Sequence, residues 1–127
     1  MTITAEKIQQ LTEWAQGSLP LMAAVHLLTQ SPQRERLWPA LTRRLHDDRP
    51  WLALDSAHAY IDEFGLSGGE RAVALLVLEL AGRDTGVPLA DLLSRLDAAN
   101  AREFHDSARI LTGHSSWLDL AIADLED

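Results

Sequence analysis

Three side chains with metal-binding chemistry follow one another at helical spacing. Asp55, His58 and Asp62 stand at positions i, i+3 and i+7, which places them on one strip of a predicted helix. Carboxylate oxygens and imidazole nitrogens are ligands for zinc and other divalent ions. The strip borders an apolar face, where solvated polar residues are expected in any case. We therefore expect no metal or other cofactor. A metal-binding protein or an enzyme that uses this strip is the second-ranked hypothesis for the function.

A serine in a glycine-rich turn is the next candidate for chemistry. Residues 65–69 read Gly-Leu-Ser-Gly-Gly and match G-x-S-x-G, the turn that presents the nucleophile of α/β-hydrolases. That turn needs a buried strand before it, whereas residues 55–64 have helical periodicity. Ser67 and Glu70 also have the S-x-x-E spacing of a capping box, in which each side chain satisfies a free backbone N–H of a helix's first turn. The sequence favours the capping box over the nucleophile turn. It therefore also favours a protein that is not an enzyme.

The same stretch resembles the LSGGQ-type signature of the ABC-transporter ATPases. Residues 66–71 read Leu-Ser-Gly-Gly-Glu-Arg. The resemblance implies a role in nucleotide binding. In that family the serine and glycine amides bind the γ-phosphate of a nucleotide, and the P-loop of an opposing subunit holds that nucleotide. This chain contains no G-x-x-x-x-G-K-[ST] stretch, so nothing in it would hold ATP. A capped helix start explains the same residues.

Tryptophan and arginine side chains are the remaining candidates for binding. The chain has four tryptophans in 127 residues, which is many for its size. Large aromatics near helix ends usually seal a small core, yet they and arginine are also enriched among partner-binding anchors. The interaction candidates are Trp38, Trp51, Arg43 and Arg44.

Hydrophobic spacing and capping residues predict about eight helices. The first two span about residues 4–16 and 19–30, and the third begins near Leu37, because Pro39 would clash deep inside a longer helix. Asp48 with Pro50 opens the fourth helix. Residues 72–81 are apolar on almost every side and form the most buried helix. The later helices begin at Ser67, Pro88, Asp97 or Asn100, and Ser116.

The predicted architecture is a compact all-α bundle that forms one domain over residues 1–127. No segment alternates convincingly enough to predict a strand. Six residues of the first half recur at an offset of 51 in the second half. This similarity raises the hypothesis of an internal duplication, with two three-helix units at about residues 18–64 and 67–113 and a further helix at each end.

Charge and composition narrow the classes of function. The net charge is −8, and it is divided unevenly: residues 1–50 carry six Lys/Arg and five Asp/Glu, whereas residues 51–127 carry five and fourteen. This acidic balance disfavours binding to a phosphate backbone. A local basic cluster in residues 34–49 leaves nucleic-acid binding as the third hypothesis; it consists of Arg34, Arg36, Arg43, Arg44 and Arg49.

The absence of cysteine excludes disulfides, thiolate zinc sites and cysteine nucleophiles. The first ten residues lack the pattern of a secretory signal, and the longest apolar run is too short to span a bilayer. We therefore predict a cytoplasmic protein with no membrane partner. Its first-ranked function is that of a protein–protein interaction module, which binds another protein or a second copy of itself.

Overall fold

The computed structural model describes residues 3–113, and this part of the chain contains seven α-helices and one two-stranded hairpin. The elements are α1 (Ala5–Ala15), α2 (Leu19–Gln30), α3 (Arg34–Leu41), β1 (Thr42–Arg44), β2 (Pro50–Leu52), α4 (Ala57–Glu63), α5 (Gly68–Leu80), α6 (Leu89–Leu93) and α7 (Ala98–Leu111). The predicted all-α class is confirmed. The predicted helix from Ser116 lies outside the described residues. None of the helices between residues 3 and 113 is long and apolar enough to cross a membrane.

Polar caps begin several helices where the sequence predicts them. The Ser18 side chain accepts a hydrogen bond from the Leu21 backbone N–H at 3.3 Å. The Asp97 carboxylate accepts one from the Asn100 N–H at 2.8 Å. Each bond satisfies a backbone donor that the first turn leaves free. Gly17 follows α1 with a φ of +91°, a conformation that glycine adopts without steric cost, and it ends that helix.

Helices α2 and α5 form the centre of the core. Residues 23–29 of α2 and 72–78 of α5 are all buried. Because both helices are apolar on most sides, other elements must pack against most of their faces to keep them from water. Helix α2 packs against α1, α5 and α7. The prediction that residues 72–81 form a central helix is confirmed by the burial of α5.

Buried polar side chains connect α2 and the chain just after it to α7. The His26 Nδ1 atom lies 2.8 Å from the Ser107 hydroxyl oxygen. The Ser31 hydroxyl donates to the Asn100 Oδ1 atom at 2.7 Å. All four residues are buried, and a buried polar group without a partner would cost about 1–3 kcal/mol. These pairs therefore favour one relative position of the two helices.

The hairpin corrects the sequence prediction for this part of the chain. Strands β1 and β2 pair antiparallel, with Arg43 opposite Trp51. The predicted helix start at Asp48 and Pro50 is wrong, because Asp48 lies in the turn between the strands with a φ of +71°, and α4 begins only at Ala57. Strands of three residues are too short to show an alternating pattern. Pro50 is tolerated as the first residue of a strand, where its missing N–H matters little.

The start of α3 is a second correction. The helix begins at Arg34 rather than near Leu37, and Pro39 lies inside it. Proline at this position removes the N–H that would bond to the Glu35 carbonyl, and its ring crowds that same carbonyl. Glu35 is exposed in the first turn, so water can reach that carbonyl. An eight-residue helix with packed leucines tolerates this loss.

Truncation of Leu76 tests the central position of α5. Leu76 is fully buried, so Leu76→Ala leaves a cavity and should lower the free energy of unfolding by about 2–5 kcal/mol. Leu89→Ala is the control, because Leu89 is 50% exposed and its truncation should change stability by at most about 0.5 kcal/mol. Urea unfolding measures both. Equal effects of the two substitutions would show that α5 is not the centre of the core.

Candidate functional site

The residues of the predicted metal strip are not assembled into one ligand set. Asp55 lies in the turn before α4, so helical spacing holds only for His58 and Asp62. The Asp55 carboxylate lies 3.2 Å from the Arg83 guanidinium, and the Asp62 carboxylate pairs with Arg71. In the described part of the chain, no group of three or more His, Asp or Glu side chains is placed to hold a metal ion.

Ser67 forms the predicted capping box. Its hydroxyl accepts a hydrogen bond from the Glu70 backbone N–H at 3.2 Å, and its own N–H donates to the Glu70 carboxylate at 2.9 Å. This backbone hydrogen bond, helped by the Arg36 guanidinium at 3.5 Å, lowers the pKa of Glu70 below its ordinary value of 4.5. The element before the glycine-rich turn is helix α4, not the buried strand of a hydrolase.

A polar cavity of about 230 Å³, here called the Ser67 pocket, lies where the N-termini of α3, α5 and α7 meet. Its polar groups bond to one another: the Asn100 amide donates to the Gln33 side-chain oxygen at 2.6 Å, and Asp97 caps α7. A Cβ atom on Gly69 would meet only the Arg95 carbonyl oxygen, at 3.8 Å. Glycine is therefore not required there by packing.

A second cavity, of about 300 Å³, opens between α1, the end of α3 and the hairpin. We call it the Trp38 groove. Its walls are largely apolar and include Trp38, Pro39 and Pro50, while basic side chains form its rim. The lining residues are Ile3, Lys7, Trp38, Pro39, Thr42, Arg43, Arg44 and Pro50. The groove thus contains three of the four predicted interaction candidates.

Three cations and one carboxylate set the charge at the rim of the Trp38 groove. The Lys7 ammonium and the Arg44 guanidinium each lie 3.0 Å from Asp48, on different oxygens of its carboxylate. Arg43 forms no ion pair within the described residues. The rim therefore keeps an excess of two positive charges, on a chain whose net charge is −8.

Arg43 is held in place by its neighbours. Its guanidinium carbon lies 3.6 Å from the centre of the Tyr60 ring, and its Nη1 atom donates to the backbone carbonyls of Pro39 and Thr42. The Tyr60 ring lies 6.3 Å from the ring of Phe64, and both aromatics are more than one-third exposed. An exposed aromatic surface on α4 therefore adjoins the groove through Arg43.

The sequence predicted only part of this site. Residue type predicts Trp38, Arg43 and Arg44 as interaction candidates, and the structure brings them together. Trp51 pairs with Arg43 in the hairpin, but it does not line the groove. Lys7 was missed, because it comes from α1, 41 residues before Asp48, and no local pattern connects the two.

Similarity to known proteins assigns no role to these side chains. The chain matches no protein-family model, and no curated protein and no solved structure is significantly similar to it. Residue roles must therefore be inferred from geometry and charge.

Substitution of Ser67 tests the capping box. Ser67→Ala removes the hydrogen-bond acceptor and should cost about 0.5–2 kcal/mol of stability, while Ser67→Asp should retain most of it because aspartate also accepts. Ser56→Ala is the matched control, since Ser56 begins α4 without a side-chain cap and its loss should cost at most about 0.5 kcal/mol. Thermal unfolding measures all three. Covalent labelling of Ser67 by a fluorophosphonate probe would contradict a role in capping alone.

Proposed function

We propose that this chain is a protein-interaction module and that the Trp38 groove is its partner-binding surface. The observation that carries the proposal is an open cavity of about 300 Å³ with apolar walls and a basic rim. A half-buried tryptophan beside arginines is the composition of partner-binding anchors. The partner is another protein or a second copy of this chain.

The charges around the groove favour a protein over a nucleic acid. Of the five arginines in residues 34–49, three already pair with carboxylates: Arg36 with Glu70, Arg44 with Asp48, and Arg49 with Asp47. Binding to a phosphate backbone draws its affinity from many uncompensated Lys and Arg side chains. The rim of the groove has an excess of only two positive charges, and the chain as a whole has a net charge of −8. The groove therefore lacks the many unpaired cations that such binding needs.

No contact in residues 3–113 favours the metal hypothesis over the groove. The carboxylates of Asp55 and Asp62 are each paired with an arginine, and His58 is exposed on α4. A metal would have to displace both ion pairs before it gained these ligands. For location, we propose the cytoplasm, since a chain without cysteine suits a reducing compartment.

Affinity capture from the native host, followed by quantitative mass spectrometry, tests the groove as the binding surface. Arg44→Glu and Pro39→Glu each place a negative charge on the groove, and we expect recovery of the partner to fall about tenfold, which corresponds to about 1.4 kcal/mol. Pro39 is exposed, and its replacement restores a helix N–H, so α3 should remain folded.

Arg83→Glu is the matched control for the capture. Arg83, like Arg44, is an exposed arginine that pairs with an aspartate, at 3.2 Å, but it does not line the groove. Its reversal should leave recovery unchanged. Undiminished capture by both groove variants would refute the proposal, and capture of the chain itself would identify the partner as a second copy.

A further inference from the structure

We infer that the Trp38 groove binds an acidic peptide segment of another protein, which inserts one large apolar side chain between Trp38 and Pro50. The inference rests on the proposed function and adds the chemical class of the partner. Two features carry it: the size of the apolar cavity and the charge at its rim.

The cavity has the size for a side chain rather than for an extended interface. At about 300 Å³ it stands at the lower end of the range for small-ligand pockets. Its apolar walls come from α3 and the hairpin, through Trp38, Pro39 and Pro50. A phenylalanine, tryptophan or leucine gains free energy by leaving water for such walls. This gain in free energy would hold the apolar side chain of the partner in the cavity.

The basic rim of the groove favours negatively charged residues on either side of the partner's inserted side chain. Lys7 and Arg44 share the single carboxylate of Asp48, and Arg43 has no carboxylate partner among the described residues. The rest of the chain carries a net negative charge, so a negatively charged segment is attracted to this rim in preference to the rest of the chain. Complementary charge of this kind sets orientation and association rate, and it excludes basic competitors.

Arg43 supplies a cation whose position is fixed before the partner binds. Its guanidinium contacts the Tyr60 ring and donates to the carbonyls of Pro39 and Thr42. An arginine that is already ordered loses little conformational entropy when a carboxylate approaches. Within the described residues, its Nη2 atom is buried without a hydrogen-bond partner, and no carboxylate neutralises the guanidinium. Its positive charge therefore acts on the partner through space rather than through a direct hydrogen bond.

Selection of random peptides displayed on phage, with the full-length chain as bait, tests the inference. We expect the enriched peptides to carry net negative charge and at least one Trp, Phe or Leu. A fluorescein-labelled copy of the most enriched peptide should bind Arg44→Glu and Pro39→Glu about tenfold more weakly than the unmodified chain. It should bind the Arg83→Glu control with unchanged affinity, and binding should weaken as salt is raised.

The outcomes separate the inference from the proposed function. Enrichment of neutral or basic peptides, no enrichment, or equal binding to the groove variants would overturn the acidic partner, even if capture from the host still depends on the groove. Failure of that capture to depend on the groove would instead overturn the proposed function. Displacement of the peptide by an equimolar single-stranded oligonucleotide would overturn the inference in favour of a nucleic acid.

The chain's own acidic segment is the remaining competitor. Residues 114–127 contain four Asp/Glu and no Lys or Arg. A full-length variant with these carboxylates changed to amides should bind the peptide with unchanged affinity. Binding that becomes about tenfold tighter would overturn the external partner, because the segment itself would then occupy the groove.

Discussion

Helix α2 is buried along most of its length, so its polar side chains must find partners inside the protein. His26 bonds to Ser107, and Ser31, one residue beyond the helix, bonds to Asn100. Both partners belong to α7. A shift of α7 along α2 would break these bonds in the core, at a cost of about 1–3 kcal/mol for each group left unpaired. The other helices pack around a pair whose register is fixed in this way.

The same arrangement positions the Trp38 groove at the edge of the core. Helix α1 packs on α2 and contacts β2, and α3 leads from α2 into the hairpin. The hairpin is tied back to both helices, since the Thr42 hydroxyl donates to the Trp38 carbonyl at 2.7 Å and Lys7 pairs with Asp48. Both faces of the groove are therefore held by the core. The groove is thus a preformed surface, and under the proposed function this limits the entropy that a partner loses on binding.

Helices with strong local signals could be predicted from the sequence, and elements fixed by tertiary contacts could not. Ser67 and Asp97 begin helices through bonds that close within one turn, so spacing alone reveals them. Strands β1 and β2 are too short to alternate, and their pairing depends on the turn at Asp48. In the site, residue type pointed to Trp38 and Arg43, whereas Lys7 joins them only through the fold. The hypothesis of an internal duplication stays a prediction.

Site-specific photo-crosslinking in the native host measures most directly whether the Trp38 groove is the partner-binding surface. A photoreactive phenylalanine analogue at Pro39, an exposed residue of the groove, is compared with the same analogue at Leu89, an exposed residue of α6. We expect the Pro39 position to yield one dominant crosslinked protein and the Leu89 position to yield none of it. A dominant crosslinked protein from the Leu89 position, with none from the Pro39 position, would contradict the assignment of the groove.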